Sequence, residues 1–171
     1  MAGATTQHYL IALGSNMRHR RIGAPRRVIA AAIAAMADNG IAVLAVSPLM
    51  RSRPVGPSRR DYVNGTALIE TPLAPPALLA ALKGMERAFG RRRRARRWSA
   101  RVIDLDIILW SGGIWTSERP RLTIPHPAFR QRDFVLHPAR SIAGDWRDPV
   151  TGLSIAQITA RHDRCARTRG R

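Results

Sequence analysis

The segment Arg101–Trp110 reads RVIDLDIILW, and its pattern decides how this part of the chain folds. Apolar and branched residues dominate it, which predicts a β-strand over Val102–Trp110. Side chains on a strand alternate between its two faces, so Asp104 and Asp106 are expected on one face. The opposite, buried face is then formed by Ile103, Leu105, Ile107 and Leu109.

Five further elements precede this strand. In chain order we predict a strand over Tyr9–Leu13 ending in a turn at Gly14–Asn16, a helix over Pro25–Met36, a strand over Ile41–Met50, a strand over Tyr62–Glu70 and a helix over Pro75–Phe89. The order β-α-β-β-α-β is that of the ferredoxin-like split βαβ arrangement. The predicted class is therefore α+β, with one antiparallel sheet and both helices packed on one face.

The chain after Trp110 is rich in Pro, Gly and Arg, and we interpret it as a C-terminal extension. A hairpin is expected around Gly112–Gly113 and a short helix near Ile155–Ala160. Residues from about 161 to 171 form a basic tail. Because no linker divides the chain, we predict a single domain over residues 1–171, with its core at about 8–138.

Composition narrows the class of protein. The chain has 171 residues, 28 of its 29 basic residues are Arg, and the net charge is +18. Arginine forms bidentate contacts with phosphate, so we expect a nucleotide or nucleic acid as partner, although biased base composition also enriches Arg and Ala. A single cysteine, Cys165, excludes an internal disulfide framework. The apolar run Val28–Ala37 is too short to span a bilayer, and no signal peptide is evident, so we expect a cytoplasmic protein without membrane contact.

The paired acids Asp104 and Asp106 stand on an otherwise apolar strand in a chain with only 11 acidic residues. Two carboxylates on one face repel each other unless a cation lies between them. Hard oxygen ligands that leave most coordination positions open suit Mg²⁺, completed by water and phosphate. A surface pair neutralised by neighbouring arginines explains the same pattern, and the pair alone does not decide between the two.

Residues 91–97 carry six arginines directly before this strand, and Trp98 follows them. Arginine side chains neutralise phosphate charge, and a mobile loop closes over a nucleotide to exclude water. Charge runs are more commonly solvated surfaces or nucleic-acid patches. The position beside the carboxylate pair favours a nucleotide. The sequence has no Walker A loop and no zinc spacing, so ATP would bind through arginine, Mg²⁺ and a loop.

Three further segments carry chemistry. His126 lies between two prolines, which hold it rigidly enough to orient it toward a phosphate. Tyr62 and Phe134 could stack on a flat ring, and Asn64 could bind its edge as donor and acceptor. Taken singly, each of these residues is as easily explained by packing in the core.

The ordered set of these motifs resembles the family of 6-hydroxymethyl-7,8-dihydropterin pyrophosphokinases, from Tyr9 to about Pro138. The residues that carry the resemblance are Gly14-Ser15-Asn16, Pro54-Val55-Gly56-Pro57, Asp61-Tyr62-Val63-Asn64, Arg97-Trp98, Arg101-Val102-Ile103-Asp104-Leu105-Asp106, Ile124-Pro125-His126-Pro127, Arg132 and Phe134. Each motif is weak alone, and the ordered set is specific.

The resemblance implies a set of site residues. The two metal ligands would be Asp104 and Asp106, and the catalytic set would add Arg91, Arg93, Arg101 and His126. The ATP-binding residues would be Lys83, Glu86, Arg91, Arg93, Arg101, Ile107, Arg121, His126 and Arg132. The pterin pocket would consist of Ser52, Val55, Tyr62, Asn64, Trp98, Asp104 and Phe134.

The resemblance also implies a reaction: transfer of diphosphate from ATP to the hydroxymethyl oxygen of the pterin, with release of AMP, in folate biosynthesis. Two Mg²⁺ ions would assist, and the partners would be small molecules bound by a monomer. The same transfer in another pterin pathway, such as that of methanopterin, is an alternative. An RNA-binding ferredoxin-like domain is another, but the low aromatic content, 5%, argues against base stacking.

Overall fold

The computed structural model describes residues 5–53, 60–90 and 102–169. Its strands are β1 (Gln7–Ser15), β2 (Ala42–Val46), β3 (Met50–Ser52), β4 (Tyr62–Thr71), β5 (Asp104–Trp110), β6 (Trp115–Glu118) and β7 (Arg121–Ile124). Its α-helices are α1 (Pro25–Ala34), α2 (Pro75–Ala88), α3 (Asp133–Ala143) and α4 (Ile155–Arg169), and short 3-10 helices cover Ala37–Asn39 and Phe129–Gln131. The chain is thus a mixed α and β protein, as its sequence predicts.

The main sheet has the order β2-β4-β1-β5, and each neighbouring pair is antiparallel. The strand predicted over Ile41–Met50 is divided in two, since β2 and β3 pair successively with β4. Pro48, which has no backbone N–H to donate, lies between them. There Ser47 turns its hydroxyl to the backbone, and Thr66 N–H donates to its Oγ at 2.9 Å. The first strand is longer than predicted and includes Gly14 and Ser15.

The two helices that the sequence predicts on one face of the sheet, α1 and α2, do share a face, and helices α3 and α4 cover the opposite face. Tyr9, Ile11 and Leu13 of β1 pack in one apolar cluster with residues of α1 and α2. Leu10, between them in sequence, packs in a second cluster with residues of α3 and α4. Helix α3 was not predicted, and α4 runs to Arg169 instead of ending near residue 160, so the basic tail through that residue is helical.

A bulge in β5 changes which of its residues are buried on which side. Leu10 pairs with Leu109 and Ile11 pairs with Ile107, which leaves Ile108 as an extra residue. Leu105 and Ile107 therefore face α1 and α2, whereas Leu109 lies in the opposite cluster. The prediction of one continuous buried face that includes Leu109 was wrong, because strict alternation does not hold across a bulge.

The predicted hairpin lies a few residues further along the chain. Strands β6 and β7 pair from Trp115 with Ile124 to Glu118 with Arg121, so the turn is at Arg119–Pro120. Gly112–Gly113, where we had expected it, instead forms the turn after β5, and Gly113 adopts a φ of 95°. Among the helices that the structure describes, none has the length and apolar character needed to cross a membrane.

The connection between α3 and α4 is held by a buried carboxylate. Asp148 is fully buried and accepts two hydrogen bonds from Arg130, from Nε and Nη2, both at 2.7 Å. The Thr151 hydroxyl and the Val150 N–H donate to the same carboxylate. Burial by itself raises the pKa of Asp148, but the hydrogen bonds, that of Arg130 foremost, hold the pKa below its ordinary value.

We expect Asp148→Asn to lower the free energy of unfolding by about 3 kcal/mol at pH 7, because it leaves the Arg130 charge without its buried partner. A carboxyl with a lowered folded-state pKa stabilises the protein above its unfolded pKa of about 3.9 and loses that contribution as the pH falls further. Urea unfolding of both proteins at pH 7 and pH 3 measures this. The difference in free energy of unfolding between the wild type and Asp148→Asn should be smaller at pH 3 than at pH 7. An equal difference at both pH values would contradict the assignment of a lowered pKa to Asp148.

Candidate active site

A cavity of about 250 Å³ opens beside the ends of β1, β4 and β5. Its lining includes eight of the site residues that the sequence predicts: Ser52, Tyr62, Asn64, Asp104, Asp106, His126, Arg132 and Phe134. These residues come from β3, β4, β5, the segment after β7 and the start of α3. Antiparallel pairing of the strands brings the residues of β3, β4 and β5 together, and the segment that follows β7 adds His126, Arg132 and Phe134.

The carboxylates of Asp104 and Asp106 form one side of this cavity. Register places Asp104 opposite Gly14 and Asp106 opposite Ala12, so small residues of β1 lie beside both acids. A Cβ atom added at Gly14 would lie 3.3 Å from Asn64 Oδ1 and 4.0 Å from the Asp104 Cβ. Glycine therefore keeps open the space between the acidic side of the cavity and the Asn64 side.

The donor set suits a hard divalent cation. Asp104 and Asp106 share one face of β5, both are partly exposed, and both line the cavity. Among the described residues, no group of three or more His, Cys, Asp or Glu side chains could hold a metal. A pair of carboxylates leaves most coordination positions of a metal ion free. This matches Mg²⁺, which usually binds one or two carboxylates and fills its other positions with water and phosphate oxygens. The residues present therefore fit the metal that the sequence predicts.

Helix α2 contacts the outer edge of this strand through Lys83 and Glu86. Glu86 is fully buried, and its Oε1 accepts hydrogen bonds from Leu105 N–H at 2.8 Å and from Lys83 Nζ at 2.7 Å. Lys83 Nζ also donates to the Leu105 carbonyl at 3.1 Å and lies 3.6 Å from Asp106 Oδ1. Both residues, predicted to bind ATP, thus contact the strand that carries the acids.

The bulge in β5 helps to place His126. The His126 N–H donates to the carbonyl of Ile108, the extra residue of the bulge, at 3.0 Å. Nδ1 accepts from the Ala128 N–H at 3.2 Å, so the proton of the neutral ring is on Nε2. Burial lowers the pKa of His126, and Arg132 adds to this, while Asp106 opposes it. At neutral pH the ring is therefore an uncharged donor at the cavity wall.

The other side of the cavity combines two aromatic rings with an amide. Asn64 is almost fully buried, and its Nδ2 donates to Ser52 Oγ at 2.7 Å, which fixes the amide orientation. Tyr62 and Phe134 line the cavity, and the Arg132 guanidinium lies 5.7 Å from the centroid of the Phe134 ring. This side suits a flat, hydrogen-bonding heterocycle, with charge available at one end.

Some predicted residues lie elsewhere. Ile107 is buried in the core between the sheet and α1 and α2, and Arg121 is exposed at the start of β7. Val55, Arg91, Arg93, Trp98 and Arg101 lie outside the described residues. Six further residues line the cavity and were not among the predicted site residues: Ala12, Leu13, Gly14, Arg53, Gly65 and Val135. The sequence does contain a signal for Ala12 and Gly14: these small residues alternate with the bulky Ile11 and Leu13, which indicates that one face of the strand leaves space for a ligand.

The α+β fold has a cavity with paired carboxylates on one wall and aromatic and amide side chains on the other, an arrangement that suits a protein binding a flat, hydrogen-bonding ring beside a cation. A family model described as "7,8-dihydro-6-hydroxymethylpterin-pyrophosphokinase (HPPK)" matches residues 10–144. This chain belongs to the HPPK family. The resemblance seen in the sequence is thereby confirmed.

Individual relatives agree with the family match. The chain is 44% identical over 124 residues to the 2-amino-4-hydroxy-6-hydroxymethyldihydropteridine pyrophosphokinase of Synechocystis sp.. The aligned region covers 72% of this chain and 62% of that protein. It is 41% identical over 156 residues to the protein of the same name from Pseudomonas aeruginosa, covering 90% and 91% respectively. Among solved structures, it resembles a Plasmodium falciparum HPPK-DHPS triple mutant with pteroate, with a TM-score of 0.73, 12% identity and coverage of 96% of this chain and 45% of the other. At this identity the last comparison shows the fold alone.

Proposed function

We propose that this chain transfers diphosphate from ATP to the hydroxymethyl group of 6-hydroxymethyl-7,8-dihydropterin, giving the pterin diphosphate and AMP for folate biosynthesis. The observation that carries the proposal is the two-sided cavity, with the acids Asp104 and Asp106 on one wall and Tyr62, Asn64 and Phe134 on the other. The strand order β2-β4-β1-β5, all antiparallel, supports a ferredoxin-like core beneath it.

The pterin would bind at the aromatic side. A pterin is a flat ring with donors and acceptors along its edge, so it needs stacking surfaces and an amide in a fixed orientation. Phe134 and Tyr62 supply the surfaces, and Asn64, held by Ser52, supplies the amide. The hydroxymethyl group would then point toward Asp104 and Asp106, where the phosphates bind. Val55 and Trp98 remain predicted members of this pocket.

Asp104 and Asp106 would hold Mg²⁺, and we propose two ions, as the resemblance implies. The chemistry that Mg²⁺ would supply there is neutralisation of phosphate charge and a lowered pKa of the substrate hydroxyl. The carboxylates serve first as ligands: they lie side by side on one rigid strand, which fixes their spacing.

The triphosphate would lie between the acids and the residues after β7. His126, a neutral donor held by the Ile108 carbonyl, and Arg132 line the cavity beside the acids. Both can donate to phosphate oxygens, and Arg132 also supplies positive charge. Arg121, Lys83, Glu86 and Ile107 are proposed at the nucleotide end, and Arg91, Arg93 and Arg101 remain predicted phosphate ligands.

The bond changes follow from the substrates. The hydroxymethyl oxygen forms a bond to the β-phosphorus, and the bond between that phosphorus and the oxygen bridging to the α-phosphorus breaks. AMP leaves with the bridging oxygen, and the hydroxyl proton passes to solvent. No described side chain is set apart as a separate general base, so positioning and charge neutralisation account for the catalysis.

The direct test is to incubate the full chain with MgATP and 6-hydroxymethyl-7,8-dihydropterin and to separate the nucleotides by chromatography. AMP and pterin diphosphate should appear in equal amounts, and only when both substrates are present. Formation of ADP, or hydrolysis of ATP independent of pterin, would contradict the proposal. Filter binding to short RNA in parallel tests the nucleic-acid alternative.

A monomeric state and a cytoplasmic location also remain predictions.

We expect Phe134→Ala to weaken pterin binding about tenfold while leaving the affinity for an ATP analogue nearly unchanged. The reason is that the substitution removes a stacking surface on the pterin side, worth about 1 kcal/mol beyond the area buried. Calorimetric titration with each ligand separately measures both affinities. Phe129, buried in the core beneath α3 and α4, provides the contrast: Phe129→Leu should alter stability and neither affinity. Equal losses for both ligands in Phe134→Ala would mean that Phe134 acts as a core residue.

A further inference from the structure

Lys83 places a positive charge at the outer edge of the strand that carries the acids. Its Nζ lies 2.7 Å from Glu86 Oε1, 3.1 Å from the Leu105 carbonyl and 3.6 Å from Asp106 Oδ1. The Lys83 side chain is 29% exposed, Asp106 is 34% exposed and Glu86 is fully buried. The ammonium is therefore held by the buried Glu86 carboxylate and lies beside Asp106, one of the proposed metal ligands.

The anchoring follows from the position of β5 at the edge of the sheet. An edge strand has backbone groups that no neighbouring strand can satisfy. Here α2 satisfies both groups of Leu105, because Glu86 accepts its N–H and Lys83 donates to its carbonyl. One ammonium thus connects the backbone of Leu105 to the side chain of the next residue, Asp106, and restricts both.

A cation bound by Asp106 would come close to this ammonium. The two charges repel each other, and the partly exposed setting weakens this repulsion without removing it. A metal ion that arrives alone therefore meets a site whose acids are already partly neutralised. A metal ion that arrives on a triphosphate brings several negative charges with it, so the same ammonium then attracts the incoming complex.

We infer that Lys83 is a positioning residue of the metal site: it holds Asp106 in place before metal binds and makes tight metal binding depend on the nucleotide. This inference rests on the proposed function, since it takes Asp104 and Asp106 as metal ligands. It assigns to Lys83 a role in the order of binding, with the metal and ATP entering together.

The test uses Mn²⁺ as a spectroscopic substitute for Mg²⁺, because the electron paramagnetic resonance signal of free hydrated Mn²⁺ is lost on binding. The full chain is titrated with Mn²⁺ alone and with Mn²⁺ plus a non-hydrolysable ATP analogue. The variant is Lys83→Gln, which keeps a hydrogen-bond donor and removes the charge. We expect it to bind Mn²⁺ alone about three- to tenfold more tightly than the wild type, and to show a smaller gain in affinity when the nucleotide is added.

Two variants serve as controls. Arg87→Gln removes one positive charge from the exposed face of the same helix and should leave Mn²⁺ affinity unchanged. Lys83→Arg keeps the charge and should behave like the wild type. If loss of the Lys83 charge beside the buried Glu86 prevents Lys83→Gln from folding, the double variant Lys83→Gln/Glu86→Gln removes the charges of both residues, and it should shift Mn²⁺ affinity in the same direction.

Unchanged or weaker binding of Mn²⁺ alone by a folded Lys83→Gln or double variant overturns the inference, as does an equal shift in Arg87→Gln. The assay for AMP, run on the same wild-type preparation, separates this result from failure of the proposed function. AMP formation without the Mn²⁺ shift removes only the role of Lys83. The Mn²⁺ shift without AMP formation leaves that role and removes the proposed reaction.

Discussion

Asp106→Asn is expected to reduce the rate of AMP formation roughly a thousandfold while leaving the fold intact. An amide is a poor ligand for Mg²⁺, so the substitution removes one of the two carboxylates that face the cavity. The side chain is partly exposed at the sheet edge, and Asn has nearly the same shape, so packing around β5 should not change. Steady-state rates at saturating ATP and pterin, together with thermal melting, measure the two effects separately.

The matched control is Asp38→Asn, the same change at an exposed acid in the 3-10 helix after α1. Its rate and melting temperature should both equal those of the wild type. An Asp106→Asn enzyme that reaches a near-normal rate at high Mg²⁺ would show that the acids form a surface ion pair and not a metal site.

Gly14→Val is expected to abolish measurable pterin binding, with an affinity loss of at least about a hundredfold. The first carbon of any side chain at this position already lies 3.3 Å from Asn64 Oδ1, and the branches of valine must occupy the space beside Asn64, Tyr62 and Asp104. Gly14 is not among the glycines with positive φ, and valine favours strands, so the backbone of β1 should accept the substitution. Calorimetric titration with pterin measures the loss.

Gly84→Val on α2 adds the same volume away from the cavity, where the nearest atom to a new Cβ is an Arg87 side-chain nitrogen at 3.7 Å. It should retain pterin affinity and lose no stability through helix propensity, because valine is a better helix former than glycine and the new Cβ meets no close contact. Pterin affinity retained in Gly14→Val would mean that the substrate does not use the space between Asn64 and Asp104.

Much of the candidate site could be predicted because short-range rules fix it. Alternation along a strand predicts that Asp104 and Asp106 share a face, and the register with β1 confirms this. The strand over residues 62–70 and the helix over 75–89 were predicted to within two residues of their observed bounds. The family resemblance, which rested on an ordered set of motifs, is confirmed by the family match over residues 10–144.

The remaining features depend on contacts that distant residues decide. The bulge at Ile108 depends on how β5 aligns with β1, and the carbonyl it exposes then binds the His126 N–H, so neither could be inferred from local pattern. Helix α3 contains Pro138, which locally argues against a helix, but packing of Val135 and Leu136 against the sheet stabilises it. The role of Glu86 beneath the edge strand likewise becomes visible only when α2 lies against β5.

Transfer of an intact diphosphate group can be followed with labelled ATP. The full chain is incubated with MgATP and 6-hydroxymethyl-7,8-dihydropterin in two reactions, one with label at the γ-phosphate and one with label at the α-phosphate. We expect the γ-label to move to the pterin and the α-label to remain in AMP, and we expect Asp106→Asn to transfer the γ-label far more slowly. Labelled ADP, labelled orthophosphate or α-label on the pterin would rule out diphosphate transfer.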